Sequence, residues 1–309
     1  MSPKPQGLAF GLVAAMAGAV GFAMKGLFAK KLYAHGWTFE AVQVTRMALA
    51  LPVFWLWGWW RVGGELLKVE RSAWLGAMGA GFLCYYIGSM LDFYALTLID
   101  ASLERVLLFS YPSMVVVAHS AIYRRFPDLR TVLALTATYT GIVAVVSGFD
   151  LAIFRANLKG AVLVLLCATT TATYFIASDR WTGRIGSATF TVWAMTSAGL
   201  CMFVHAFLSH HARPPMPGPA DFGYLAGLVG IATVFAMLMT AEGVRRLGAQ
   251  RAAVVSTVGP PATILIAVPW LGERMNPVQW AGVALIVVGI LVMELMRTGR
   301  KTPVDNRAA

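Results

Sequence analysis

The sequence predicts an all-α membrane protein whose ten transmembrane helices form two inverted-topology five-helix repeats. Three observations carry that reading: apolar stretches fill nearly the whole chain, basic residues are shared unequally between alternate links, and the second half overlays the first at a fixed offset.

The apolar stretches come first. Of 309 residues 58% are hydrophobic and only 13% are charged, and mean hydropathy is +0.69. A water-soluble domain carries about 25% charged residues to cover its core; the deficit here makes lipid the solvent for most side chains. Each stretch reaches the roughly 20 residues that a helix needs to cross about 30 Å of hydrocarbon. The expected spans are 7–34, 37–60, 73–98, 101–123, 130–149, 157–180, 186–208, 220–244, 249–271 and 276–297. Links between them are short and carry turn or charge signals, as at His35-Gly36, Gly63-Gly64-Glu65, Arg213-Pro214-Pro215 and Asn276-Pro277. The first stretch is longer than a signal-peptide core of about 7–15 residues, so it is read as a span. Residues 298–309 are polar and are expected to form a disordered cytoplasmic tail.

Net charge is +11. The Lys and Arg residues are strung between apolar segments and form no patch with interleaved aromatics, so no nucleic-acid partner is expected. Cys84, Cys167 and Cys201 lie inside apolar stretches without CxxC spacing and read as buried thiols. No metal and no cofactor are expected.

Orientation follows from the basic residues. With the N-terminus inside, the inner segments hold Lys4, Arg61, Lys68, Arg71, Arg124, Arg125, Arg130, Arg180, Arg184, Arg245, Arg246, Arg251, Arg297, Arg300, Lys301 and Arg307. The outer segments hold Lys30, Lys31, Arg105, Arg155, Lys159, Arg213 and Arg274. Sixteen against seven satisfies the positive-inside rule with both termini cytoplasmic, which also requires an even number of spans. The expected location is the bacterial inner (plasma) membrane.

A shift of 148 residues lays one half over the other without a gap from about Trp74 to Gly148. Ala101 falls on Ala249, Val106 on Val254, Pro112 on Pro260, Gly141 on Gly289 and Ile142 on Ile290. The repeats are therefore placed at 1–150 and 151–297. Five spans is an odd number, so the second copy must start on the opposite face, and equivalent loops agree. Arg124, Arg125 and Arg130 correspond to Arg274 with Glu273, while Arg105 with Asp100 and Glu104 corresponds to Arg245, Arg246 and Arg251. Inverted repeats are the architecture of secondary transporters, with a site near the midplane where the halves meet.

Four short stretches carry a family resemblance. They are Gly18 to Lys25 in the first span, Arg46-Met47-Ala48-Leu49-Ala50 in the second, Phe93-Tyr94-Ala95-Leu96 with Ala101 closing the third, and Leu271-Gly272-Glu273-Arg274 ending the ninth. In this order the chain resembles the drug/metabolite transporter superfamily, specifically its EamA-type ten-helix exporters, over essentially its whole length. Within the superfamily it looks most like the YddG-type exporters, which implies export of aromatic and other neutral amino acids. The first half has Arg124-Arg125 where the second has Gly272-Glu273. That departure marks the Gly-Glu pair as a helix-end feature, outside any substrate site.

Candidate substrate-binding residues follow from depth and helical face. An ionisable side chain at a span centre costs about 2.5–3.5 kcal/mol to insert, so it faces the bundle interior. Lys25 and Arg46 each lie about eight residues from the outer end of their span, about 12 Å deep at 1.5 Å per residue, and Asp92 lies on the third span at about 8–9 Å. The three are candidates for one polar cluster, in which Lys25 or Arg46 meets a substrate carboxylate and Asp92 an amine. The plainer alternatives are that Lys25 snorkels outward, that Arg46 clamps backbone carbonyls, and that Asp92 only balances a cation. Tyr85, Tyr86 and Ser89 share a face of the third span; Tyr111, Tyr174 and Trp193 complete the aromatic inventory of a pocket for a zwitterion. Core packing and helix-internal hydrogen bonds are the alternative for these. Pro112 and Pro260 occupy equivalent places in the two halves and are candidate hinges.

The expected function is thus alternating-access export of small amphipathic metabolites, with amino acids as substrates, the lipid bilayer as surroundings, and a monomer or homodimer as the assembly. A multidrug, organic-cation or nucleotide-linked metabolite transporter of the same superfamily is the alternative. An integral-membrane lipid-modifying enzyme is the rival from another class, and it would need a convergent acid/base or metal constellation. The chain has no DxxD or HxxxH cluster, so no enzyme is expected.

Overall fold

A computed structural model describes residues 5–122, 129–148, 150–247, 255–256 and 258–299. The expected disordered tail lies outside these, apart from its first two residues. Every regular element among the described residues is helical. Helix α1 spans Pro5–Ala23, α2 Lys25–Ala34, α3 Phe39–Val62, α4 Arg71–Gly81, α5 Ser89–Ala95, α6 Ala101–Leu108 and α7 Tyr111–Ile122. The chain continues through α8 Leu129–Ser147, α9 Leu151–Ile185, α10 Ser187–Leu208, α11 Pro219–Ala226, α12 Ala236–Leu247, α13 Gly259–Leu271 and α14 Pro277–Gly299. Two π-helical segments, Phe82–Gly88 and Gly227–Phe235, join α4 to α5 and α11 to α12.

Among the described residues, six continuous helical stretches are long and apolar enough to cross a membrane: Ala9–Ala34, Phe39–Leu67, Arg71–Ala95, Leu151–Ile185, Ser187–Leu208 and Pro219–Thr240. Shorter apolar helices cover Val132–Ser147, Gly259–Leu271 and Pro277–Val292. Ends are set by local chemistry. The Asp150 carboxylate accepts the N–H groups of Ala152 (2.7 Å) and Ile153 (3.3 Å) and starts α9, and the Thr38 hydroxyl accepts that of Ala41 (3.1 Å) and starts α3. The two candidate hinge prolines stand at helix starts. Pro112 is the second residue of α7, after a break at Phe109–Ser110, and Pro260 is the second residue of α13. A first-turn proline lacks only an N–H that has no intrahelical partner anyway, so it fits there without cost.

Packing between the halves follows one pattern. Helices α8 and α14 run antiparallel: Asn276 Nδ2 donates to the Gly148 carbonyl (3.4 Å), Gln279 Nε2 to the Val145 carbonyl (3.1 Å), and Gly141 lies against Gly282 and Ile286, while Gly289 lies against Ala134 and Thr138. Helix α1 runs antiparallel to α12, with Ala15 on Gly243 and Gly21 on Ala236. Helix α9 runs antiparallel to the α5 segment, with Thr170 on Gly88 and Gly160 on Ile99. Small residues at these crossings let the backbones approach closely, which is how helices gain packing energy in lipid.

Candidate functional site

The site is assembled where α2, α3, α5 and α6 meet. A turn at Met24 separates α1 from α2, so Lys25 starts a new helix in mid-span. Its ammonium is ion-paired with the Asp92 carboxylate of α5 and lies 3.4 Å from Glu104 Oε1 of α6. The side chains of Asp92 and Glu104 are 2% and 1% exposed, and that of Lys25 is 13% exposed. The ammonium also stands 5.7 Å from the centre of the Phe93 ring, and the Arg46 guanidinium 5.1 Å from it. Such spacing suits cation–π attraction to both.

Arg46 is buried on α3. One of its terminal nitrogens donates to the Ser89 hydroxyl (2.9 Å), which also receives Gln43 Nε2 (2.5 Å). The guanidinium Nε has no hydrogen-bond partner. An unpaired buried donor costs about 1–3 kcal/mol, so this one awaits an acceptor.

A cavity adjoins these residues. About 60 Å³ is open to the centres of water molecules, and the wall is formed by Lys25, Arg46, Met47, Phe54 and Tyr85 from one half of the chain and by Met195, Thr233 and Met237 from the other. Both π-helical segments reach it, through Tyr85 and Thr233. A π turn inserts one residue per turn and leaves backbone groups displaced, an arrangement found frequently at functional sites.

Of the residues singled out in the sequence, Lys25, Arg46, Tyr85, Ser89 and Asp92 are brought together here. Tyr174 lies one shell out, its ring 4.9 Å from that of Tyr85. Three others lie elsewhere. Tyr86 points to His205 Nδ1 (3.2 Å), Tyr111 stacks on Phe175 at 5.1 Å, and Trp193 donates to the Leu66 carbonyl (3.0 Å) while packing on Trp55 and Trp74. Sequence reasoning did not single out Glu104 or Gln43. Glu104 had a signal: four residues after Asp100, it sits on the inward face of a helix starting at Ala101.

Polar links between the halves gather at the end of the molecule holding His35, Glu40 and Ser209. His35 Nδ1 is 2.6 Å from Asp221 Oδ1, and Glu40 receives the Ser209 hydroxyl (2.5 Å) and lies 3.3 Å from His205 Nε2. Gly272 adopts φ +71, closing α13 with a left-handed cap. That turn aims Glu273 at the start of α6, where its carboxylate accepts the N–H groups of Ala101 (2.7 Å) and Ser102 (3.0 Å). Among the described residues no group of three or more His, Cys, Asp or Glu is placed to hold a metal ion.

The sequence matches the family model of EamA-like transporters twice, over residues 9–147 and 158–295. The chain belongs to the EamA-like transporter family. It is 32% identical over 301 residues to a protein of Bacillus subtilis (strain 168) described as uncharacterized transporter YcbK, covering 95% of this chain and 96% of that one. A second protein of the same organism, uncharacterized transporter YwfM, is 33% identical over 72 residues, 23% of this chain and 24% of its own. A solved crystal structure shares the fold with a TM-score of 0.65 at 16% identity, over 94% of this chain and 98% of its own. As an EamA-family member the protein is a multi-pass membrane transporter, and residues from both matched segments line the cavity.

Proposed function

We propose that this EamA-family transporter moves small amphipathic metabolites, foremost aromatic and other neutral amino acids, out of the cytoplasm by alternating access around the cavity between its halves. One observation carries the substrate class: Arg46 lines that cavity with its guanidinium Nε unpartnered, opposite a wall of Met and Phe side chains. A fixed cation beside an apolar wall suits a carboxylate attached to a hydrophobic side chain. Tyr85 and Thr233 supply neutral hydrogen-bonding groups. Asp92 stands behind Lys25 and meets a substrate amine only after the lysine moves aside.

Alternating access is supported by the pairing of the halves. Adding 148 to Gly141 gives Gly289, and subtracting it from Gly282 and Ile286 gives Ala134 and Thr138; the contacts of one half thus reappear in the other with the partners exchanged. A two-fold axis in the membrane plane would generate this relation, and it supports ten spans in two inverted repeats with both termini on the same side. The cavity is too small for an amino acid, since ligand sites measure about 300–1,000 Å³. Loading therefore requires the halves to separate, with the breaks before Pro112 and Pro260 as hinges.

The test is uptake of labelled L-phenylalanine into proteoliposomes. Arg46→Gln should raise KM at least about tenfold, the equivalent of about 1.4 kcal/mol, with reconstituted protein unchanged. An unaltered KM would remove Arg46 from the site.

A further inference from the structure

Asp92 and Glu104 pose an electrostatic problem that the cavity alone does not. Both carboxyl groups are almost fully withdrawn from solvent, and both reach the same Lys25 ammonium. Among the described residues, the only ion pair either one makes is with Lys25. Asp92 Oδ1 has no donor from any N–H or hydroxyl group.

The surrounding elements do not resolve this. On α6, Arg105 follows Glu104 and its charge acts on both acids, but it makes an ion pair with neither; its guanidinium lies towards Gly259 at the start of α13, where a Cβ would lie 3.1 Å from it, and its Nε is unpartnered. On α3, Arg46 is held by Ser89 and the Phe93 ring. On α2, the Tyr33 hydroxyl donates to the Phe93 carbonyl (2.9 Å), and Lys30 faces Asp100 at 3.7 Å, further out. Helix α9 contributes only the Cys167 thiol, and α13 contributes no ionisable side chain.

Two carboxylates drawn to one ammonium repel, and burial penalises each charge further; such pairs hold one proton between them. One carboxyl O–H within the pair would give Asp92 Oδ1 the donor it lacks and leave one anion for the ammonium. We propose that Asp92 and Glu104 share a single exchangeable proton, and that Lys25, which reaches both the acids and the cavity, sets how tightly it is held. While Lys25 faces the acids, the shared proton is held loosely: where it leaves, the carboxyl O–H breaks, the proton passes to water in the cavity, and both carboxylates face the ammonium. When an anion in the cavity draws Lys25 away, the pair takes a proton back from water. The last step rests on the transport reading of the cavity; the proton site does not.

The experiment uses the full chain in phospholipid vesicles and infrared difference spectra between acidic and alkaline buffer, in H2O and D2O. The expected result is a protonated-carboxyl C=O band at neutral pH that shifts in D2O and is lost in both Glu104→Gln and Asp92→Asn. Glu104→Gln keeps the shape and neutrality of the protonated acid, so it should fold, and circular dichroism checks this. A wild-type spectrum without that band, or a band that survives in both variants, overturns the shared proton. Adding L-phenylalanine should strengthen the wild-type band at a pH where it is half-titrated; an unchanged band overturns the role of Lys25. Phenylalanine uptake in the same vesicles reports on the transport reading separately.

Discussion

Gly199 of α10 packs against Leu51 of α3, and the two are 148 residues apart, the same offset that relates the halves in sequence. Such a contact is what the proposed inverted repeat expects of residues on its two-fold axis. A methyl group at Gly199 would lie 2.7 Å from Leu51 Cδ2, well inside ordinary contact. Gly199→Val should therefore destabilise the protein by about 1–3 kcal/mol through overpacking. Leu51→Ala in the same chain should recover most of that loss, because it empties the space the new side chain needs. Thermal unfolding of the two single variants and the double variant in detergent checks this, and simple additivity would place the contact elsewhere.

Orientation makes a second prediction. Gly64 and Gly183 are exposed at one end of the molecule, Leu98 and Pro217 at the other. The basic-residue bias assigns the first pair to the cytoplasm. Single cysteines at Leu98 and Pro217 should react with a membrane-impermeant maleimide in whole cells, and those at Gly64 and Gly183 only after permeabilisation. The native thiols are buried or half-buried, so background labelling should be low. The reverse pattern would invert the protein and turn the proposed exporter around.

Glu273 should matter for stability well beyond its place at a helix end. It reaches from the end of α13 in one half to the first turn of α6 in the other, so it both caps a helix and ties the halves together. Losing such a cap costs about 0.5–2 kcal/mol. Glu273→Ala should lower the unfolding temperature, and Glu273→Gln, which keeps one acceptor oxygen, should lower it less. Equal melting for all three chains would show that the cap contributes nothing.

Much of this was legible in the sequence, because lipid imposes simple rules. Long apolar stretches must be helices, and charges inside them must face inward; that is why Lys25, Arg46 and Asp92 pointed to one place. Glu104 was missed because it follows a link and precedes Arg105, so it read as a loop counter-charge. Only the observed start of α6 at Ala101 turns it inward. Tyr86 and Trp193 share the helical spacing of true cavity residues. Periodicity narrows a side chain to a face, but which neighbour covers that face is decided by packing. The π turns next to Tyr85 and Thr233 leave no mark in composition and rotate the faces after them.

Lys25 offers a test of the ion-pair geometry by stability alone. Removing one partner of a buried pair strands the other, at a cost of about 3–5 kcal/mol. Lys25→Met should destabilise strongly, since it leaves two buried acids with no cation. Combining it with Glu104→Gln and Asp92→Asn removes the stranded charges and should restore most of the stability, measured by unfolding in detergent. A triple variant no more stable than Lys25→Met would show that the lysine's packing matters and its charge does not.

Substrate crossing through the Arg46 cavity by alternating access is measured most directly by counterflow. Proteoliposomes loaded with unlabelled L-phenylalanine should take up external labelled L-phenylalanine faster than empty vesicles do, with a transient overshoot, and Arg46→Gln should need about tenfold more internal substrate for the same stimulation. Uptake indifferent to internal substrate would point to a channel, and no uptake across a panel of labelled amino acids would contradict the proposed substrate class.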